Sequence, residues 1–183
     1  MFHKVFILGK CLLIGLACLE IGSGLAFCAD PEHMPLPEVY FSPNGGATEA
    51  VVKEIRAARK TILVQAYSFT SAPIAKALVE AHRRGVHVEA VLDKSNRTAN
   101  YSEADFLAHA QIRTWIDARH AIAHNKVIVL DGDVVITGSF NFTKAGEQSN
   151  AENLLILRSA KLAARYVENF LEHRAHSEPY AGR

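Results

Sequence analysis

The feature that most restricts the fold is an alternation of strand-like and helix-like segments between residues 61 and 92. Residues 61–69 and 86–92 have the pattern of buried strands, and residues 72–84 between them have the pattern of a helix that ends before a glycine. A strand at 39–41 and an amphipathic helix, with Ala50, Val51, Ile55 and Ala58 inward, precede them as a first unit of the same kind. Two such units predict an α/β fold with a parallel or mixed sheet.

The second half of the chain adds shorter elements. We predict a helix over 102–110, strands over 112–116 and 154–157, a β-hairpin formed by 126–130 and 134–137, and a closing helix over 160–173 with Leu162, Tyr166, Phe170 and Leu171 on its apolar side. Together with the first half, these elements predict an α/β/α sandwich with a mixed, mostly parallel central sheet.

The first 29 residues differ in composition from the rest of the chain. Lys4 and Lys10 come before an apolar stretch over 11–19, and small residues follow over 22–29. This order predicts a secretory signal peptide over 1–29, and therefore a periplasmic or secreted protein. A retained membrane anchor is one alternative, although Lys10 and Glu20 interrupt the run of about 20 apolar residues that a membrane span needs. Lipidation at Cys28 is another.

Composition limits what can attract a partner to the remaining chain. Residues 30–37 contain three prolines and are predicted to be a linker, which leaves 38–183 as one folded domain. All three cysteines lie in the leader, so this domain is expected to fold without disulfides. Without the leader the chain has 18 basic and 18 acidic residues. Bulk attraction to a polyanion is therefore excluded, and a nucleic acid would need a local basic patch.

One string carries most of the chemistry: His124-x-Lys126-x4-Asp131-x6-Gly138-Ser139-x-Asn141. If the first strand of the hairpin extends back to His124, then His124 and Lys126 point to the same face, because side chains alternate along a strand. A two-residue turn, either Asp-Gly or Gly-Asp, adds Ser139 and Asn141 to that face, provided that no bulge follows the glycine. Asp131 lies at the turn and is expected to be structural.

An imidazole, a fixed cation, a hydroxyl and an amide together suit a phosphodiester. His124 would attack phosphorus and form a phosphohistidine, while Lys126, Ser139 and Asn141 bind the non-bridging oxygens and Gly138 lets the ligand approach the backbone. The displaced alkoxide needs a proton donor, for which a second histidine is suited. No other histidine in the chain has a lysine two residues later. The second histidine is therefore expected from a second copy, at the axis of a homodimer.

These residues resemble the signature of the phospholipase D superfamily, and the chain is similar in particular to short, exported Nuc-type bacterial endonucleases with one motif per chain. The similarity extends to residues 67–70, 91–94, 137–144 and 170–173. The resemblance implies that His124 is the nucleophile in one subunit and the general acid in the other, with phosphate bound by Lys126, Ser139 and Asn141. It also implies that Glu152 orients the histidine, and that catalysis needs no metal or other cofactor.

The predicted function is thus a metal-independent phosphodiesterase, an endonuclease of low sequence preference that acts on DNA, with RNA as a further candidate substrate. Two alternatives stay open: a phospholipid phosphodiesterase, which would meet the membrane if the leader is retained, and a nucleic-acid-binding module without catalysis. Lys94, Arg97 and Lys144 are expected to contact nucleic acid, because they lie beyond strand ends or next to the motif. No metal site is predicted, because no HExxH, paired cysteines or carboxylate cluster near His124 occurs.

Overall fold

The computed structural model describes residues 35–100 and 102–183. The predicted leader over 1–29 and most of the linker lie outside these residues. Every helix in the described part is too short or too polar to cross a membrane. Its helices and strands are β1 (Glu38–Ser42), α1 (Ala47–Ala57), β2 (Thr61–Ala66), α2 (Ala72–Arg83), β3 (His87–Asp93), α3 (Ala104–His109), β4 (Arg113–Asp117), β5 (Lys126–Leu130), β6 (Val134–Gly138), α4 (Lys144–Gln148), β7 (Glu152–Arg158), α5 (Ala160–His176) and β8 (Glu178–Tyr180), with one 3-10 turn over Lys94–Arg97.

The strands of the described residues form one sheet in the order β1-β7-β6-β5-β2-β3-β4-β8. Only β2, β3 and β4 pair in parallel in this part of the chain, and the other ladders are antiparallel. The predicted mixed sheet is confirmed, but the expectation that it is mostly parallel is wrong. The reason is that β5, β6 and β7 follow one another as neighbours, each strand turning back beside the one before it, which requires antiparallel pairing.

Helices cover both faces of the sheet. On one face, α1, α2 and α3 bury a large apolar cluster to which Val51 and Ile55 contribute from α1. On the other face, α5 packs against the central strands, where Val127 and Val129 of β5 contact Ala163. Successive residues of β5 point to opposite faces of the sheet, and helices cover both faces, so this strand is buried along its whole length. The layers form the predicted α/β/α sandwich.

The closing helix differs from its prediction in one detail. Phe170 is buried, but Leu171 is 42% exposed and does not belong to the apolar side, because neighbouring residues of a helix point about 100° apart. The helix also continues to His176. The short strand β8 that follows has no sequence pattern that predicts it, since it has three residues and one is Pro179.

Candidate active site

The motif residues lie at one edge of the sheet, where six strand ends meet. The parallel strands β2, β3 and β4 end at this edge, β6 also ends there, and β5 and β7 begin there. Lys126 is the first residue of β5, Gly138 the last of β6 and Glu152 the first of β7, and the loop 118–125 that follows β4 carries His124. Strand direction therefore brings together segments that are far apart in the sequence.

The hairpin has a three-residue turn, so both predicted registers are wrong by one residue. Leu130 pairs with Val134 and Ile128 with Ile136, and Asp131, the first residue of the turn, has a positive φ of 52°. His124 also lies before the first residue of β5 and not within the strand. The motif side chains consequently share an edge of the sheet, and not one face of a hairpin as predicted.

A bulge follows Gly138. The N–H groups of Ser139 and Phe140 both donate to the carbonyl oxygen of Asn153, each at 3.1 Å, which is the pattern of a β-bulge. The Ser139 hydroxyl oxygen in turn accepts a hydrogen bond from the Asn153 N–H at 3.0 Å. A Cβ on Gly138 would lie 2.3 Å from the same carbonyl oxygen, at a φ of 148°. This glycine is therefore required by the approach of β7, and its role in admitting a ligand stays a prediction.

His124 is exposed, and the backbone on both sides of it is held in place. Tyr67 donates its N–H to the Asn125 carbonyl at 2.8 Å, and Ala123 donates its N–H to the buried Asp93 carboxylate at 2.7 Å. The Tyr67 ring lies 4.7 Å from the imidazole, measured between centroids. A fixed backbone with an accessible ring suits a nucleophile that must meet a substrate from solvent.

Lys126 is buried beside the histidine. Its side-chain nitrogen donates to the His124 carbonyl at 2.9 Å and lies 5.2 Å from the centroid of the Tyr67 ring. Burial lowers the pKa of Lys126, and the negative charge of Glu152 partly opposes that shift. An ammonium group has three N–H donors, and one of them contacts the described residues. The others are available to an anionic ligand.

Glu152 acts on Lys126 through its charge, but it makes no hydrogen bond to the imidazole among the described residues. Its carboxylate accepts a hydrogen bond from Asn150 Nδ2 at 3.1 Å. The structure therefore makes Glu152 an electrostatic partner of Lys126. Its role in orienting His124 stays a prediction.

The side-chain amide oxygen of Asn141 is buried. This Oδ1 atom has no hydrogen-bond partner among the described residues, a condition that costs about 1–3 kcal/mol when nothing compensates it. Oxygen and nitrogen of an amide exchange places by a flip of the side chain. The same position can therefore offer an N–H donor to a phosphate oxygen.

The three basic residues predicted to contact nucleic acid have different surroundings. Lys94 donates to the backbone carbonyl of His120 at 3.1 Å, in the loop that leads to His124. Arg97 forms an ion pair with Glu178 of β8. Lys144 is exposed at the start of α4. Only Lys94 is thus tied directly to the loop that carries the nucleophile.

A cavity of about 910 Å³ in the described residues does not contain His124 or Lys126. It lies at the N-terminus of α1, where Gly46 and Thr48 donate their N–H groups to the Glu147 carboxylate at 3.1 and 2.7 Å. A carboxylate already occupies the anion-binding positions of that helix end. The candidate active site is instead the open surface around His124.

Asp131 lies at the far end of β5, at the hairpin turn. Its carboxylate accepts the N–H groups of Arg59, Lys60 and Thr61 at 2.9, 2.8 and 3.0 Å. Burial acts to raise the pKa of Asp131, but these hydrogen bonds outweigh it and the pKa lies below its usual value. The carboxylate therefore fastens the turn to the start of β2.

Comparison with known proteins identifies the family. The family described as "Cardiolipin synthase, PLD-like domain" matches residues 51–174. The chain is 42% identical over 135 residues to a phospholipase D of Rickettsia bellii, a match that covers 74% of this chain and 67% of the relative. The chain belongs to the phospholipase D superfamily. Another superfamily member, the mitochondrial cardiolipin hydrolase of Xenopus laevis, is 28% identical over 181 residues, which cover 87% of this chain and 86% of the relative.

Solved structures of the superfamily share the fold. The phospholipase D family member Nuc from Salmonella typhimurium superposes with a TM-score of 0.76 at 38% identity, covering 79% of this chain and 97% of Nuc. NucT from Helicobacter pylori superposes with a TM-score of 0.74 at 21% identity, covering 79% of this chain and 99% of NucT. At this identity the match is evidence for the fold and not for the function. The chain is therefore a hydrolase of the phospholipase D superfamily, a phosphodiesterase.

Proposed function

We propose that this phosphodiesterase is a metal-independent endonuclease of low sequence preference that cleaves DNA, and RNA as a second substrate. The observation that carries the proposal is the pairing of an exposed imidazole, His124, with a buried ammonium, Lys126, on an open edge of the sheet. Such an edge can receive a polymer backbone without enclosing it. The extent of the match to Nuc and the resemblance of the motif to Nuc-type endonucleases support the same substrate class.

The reaction proceeds in two displacements. Neutral His124 attacks phosphorus, a P–O bond of the nucleic acid breaks, and a second histidine in the imidazolium form gives its proton to the departing alkoxide. Water then attacks the phosphohistidine, the second histidine takes a proton from that water, and His124 is released. Lys126, Ser139 and Asn141 stabilise the negative charge on the non-bridging oxygens in both steps.

The second histidine is proposed to be His124 of another copy. Each chain has one motif, and a two-fold axis through the sheet edge would place two imidazoles on opposite sides of one phosphate. The exposure of His124 leaves room for that arrangement. The homodimer would thus contain one shared site in which identical residues have different protonation states.

Substrate class is tested by offering DNA and lipid side by side. The full-length chain is incubated in excess EDTA with plasmid DNA, single-stranded DNA, and vesicles of phosphatidylcholine or cardiolipin, and a melting curve in the same buffer verifies folding. We expect cleavage of both DNA forms and no lipid hydrolysis. Cleavage that requires added magnesium would contradict the metal-independent mechanism.

A phospholipid phosphodiesterase is the second candidate, favoured by the phospholipase D and cardiolipin hydrolase names of the relatives. Lipid hydrolysis without DNA cleavage in the same experiment would establish it in place of the endonuclease. DNA binding without cleavage of either substrate would indicate a binding module.

The shared site is tested by mixing subunits. Wild-type and His124→Ala chains are unfolded, combined in equal amounts and refolded together, and DNA cleavage in EDTA is compared with that of refolded wild type. If both histidines of a dimer are needed, activity should fall to about one quarter, because only that fraction of dimers has His124 intact in both subunits. A fall to one half would mean that each chain works alone. Lys161→Ala chains, altered at an exposed residue of α5, serve as the mixing control.

We further propose that residues 1–29 direct export to the periplasm or the medium, as a cleaved signal peptide. The charge and hydropathy order of the leader supports this location. The mass of the protein recovered from the periplasmic fraction tests it, since cleavage near Asp30 removes the leader and retention leaves the full mass.

A further inference from the structure

Four potential metal ligands from separate elements meet on the surface opposite α1 and α2. Asp117 is the last residue of β4, His120 lies in the following loop, and His173 and His176 are in the last turn of α5. One ligand atom of each lies within 4.8 Å of all the others. None of these residues belongs to the phosphodiesterase motif.

The three imidazoles converge on a single carboxylate oxygen. Asp117 Oδ2 lies 2.7 Å from His173 Nδ1, 3.0 Å from His120 Nδ1 and 3.3 Å from His176 Nε2. A carboxylate oxygen offers about two lone-pair positions, so three ring nitrogens are one more than it can serve well by hydrogen bonding alone. Such convergence is what one shared cation produces.

Burial and charge favour a cation at this point. Asp117 is completely buried, while the side chains of His173 and His176 are 15% and 20% exposed. A carboxylate buried to this degree needs a positive charge or hydrogen-bond donors around it, because an unpaired buried charge costs several kcal/mol.

The spacing of the rings fits one tetrahedral ion. The centroids of His120, His173 and His176 are 4.9, 5.2 and 5.4 Å apart in pairs. Zinc–nitrogen bonds are about 2.0–2.1 Å long and structural zinc sites are tetrahedral, which places the centroids of three coordinated imidazoles roughly 5 Å apart. A concavity of about 530 Å³ above the cluster, lined by Arg119 and Glu172 among others, gives an ion access from solvent.

We propose that Asp117, His120, His173 and His176 bind one Zn²⁺ ion as a structural site. Three imidazoles and one carboxylate form a donor set that suits zinc and does not suit magnesium or calcium, which prefer oxygen ligands. The ion is separate from the phosphodiester reaction, because His124 and Lys126 are not among its ligands.

The site would fasten the loop that carries the nucleophile. His120 lies four residues before His124, its carbonyl accepts a hydrogen bond from Lys94 at 3.1 Å, and Ala123 is held by Asp93 at 2.7 Å. Binding of the His120 side chain to an ion held by α5 adds a further attachment to this loop. Zinc is therefore expected to raise thermal stability without changing the chemistry of the site.

Zinc binding is tested on the full-length chain, with the three cysteines of the leader alkylated so that they cannot bind metal. Metal is removed with chelator, the chelator is dialysed away, and Zn²⁺ or Mg²⁺ is titrated while heat of binding, metal content and melting temperature are recorded. We expect one Zn²⁺ per chain and a higher melting temperature, with no response to Mg²⁺. Co²⁺ should give the visible absorption bands of a tetrahedral site.

Matched variants assign the ion to the cluster. His120→Asn and His176→Asn should each weaken zinc affinity by at least about 100-fold, whereas His109→Asn, at an exposed histidine of α3, and His124→Ala should bind zinc as wild type does. His120 is 44% exposed on its side chain, so its variant is expected to fold, and its melting temperature without metal verifies this. A folded wild type that binds no zinc, or a His176→Asn variant with unchanged affinity, would overturn the proposal. DNA cleavage in EDTA is measured in a separate experiment, so the zinc proposal and the endonuclease proposal can each fail without the other.

Discussion

His124→Ala is expected to lower the rate of DNA cleavage in EDTA by about 10⁴-fold or more, the scale on which enzymes lose activity when a nucleophile is removed. The substitution removes the group that forms the covalent bond to phosphorus and, in a shared site, also the group that protonates the leaving oxygen. Single-turnover cleavage of a labelled oligonucleotide measures it. The same variant should also fail to trap radioactive phosphate as an acid-labile adduct.

His109→Ala is the matched control for this substitution. His109 is an exposed histidine at the end of α3, so its loss changes the histidine count without touching the motif, and activity should stay at the wild-type level. Folding of both variants is compared by melting temperature, since an exposed ring at His124 contributes little to packing beyond its contact with Tyr67. Retention of more than about one tenth of wild-type activity by His124→Ala would contradict its role as nucleophile.

Lys126→Gln is expected to lower kcat for DNA cleavage by about 10²–10³-fold, with a smaller effect on KM. In the proposed site the buried ammonium lies next to the phosphate, where its charge acts at low dielectric as negative charge grows on the non-bridging oxygens. Gln keeps a hydrogen-bond donor and most of the volume, so the loss reports on charge. Steady-state kinetics on a labelled oligonucleotide measures the two constants, and Lys161→Gln on the outer surface of α5 is the matched control.

The wild-type pH profile gives a second readout for Lys126. Burial lowers its pKa from the ordinary value of 10.5, so the reactive, charged form is lost as pH rises through that lowered pKa. The alkaline limb of kcat should therefore lie below pH 10.5, and a small phosphodiester substrate avoids strand separation at high pH. An alkaline limb that persists unchanged in Lys126→Gln would mean that another group titrates there.

The sequence predicts the fold correctly where buried elements give a clear pattern of apolar residues. Apolar strands with helices between them predict the parallel strands β2 and β3 and their covering helices, because period and burial are both visible in the residues. The direction of β7, and the pairing of β1 at its far side, depend on which neighbours bury the most surface. These tertiary contacts are not visible in the sequence pattern, and for that reason the prediction contained too much parallel pairing.

The sequence predicts which residues form the candidate site, but it does not predict their arrangement. The identity of the motif residues indicates phosphate chemistry, but a three-residue turn at Asp131 and a bulge at Ser139 change the register by single residues. Turn length depends on backbone angles that an Asp-Gly-Asp sequence permits in more than one way. Tyr67 lies in a segment that resembles the family, but the sequence does not indicate its contact with His124, and nothing around Asn153 indicates its contact with Ser139.

The histidine cluster has a sequence signal that is easy to overlook. Asp117 and His120 are three residues apart, His173 and His176 are one turn apart on the same helix, and 53 residues separate the two pairs. An i, i+3 histidine pair on a helix is a recognisable metal-ligand spacing. The loop and the helix that bring the pairs together are set by the tertiary fold.

The residues of the signature string are close in sequence, but Asp131 lies at a different place in the fold from His124 and Lys126. Strand β5 has five residues, so at about 3.3 Å per residue its first and last Cα atoms are roughly 13 Å apart. Lys126 stands at the reacting end and Asp131 at the other. A motif search with the whole string therefore tests two things at once: His124 and Lys126 indicate the reaction, and Asp131 indicates the hairpin turn. We therefore expect a chain that lacks the aspartate but folds to remain a catalyst, and a chain that keeps the aspartate without the histidine to be inactive.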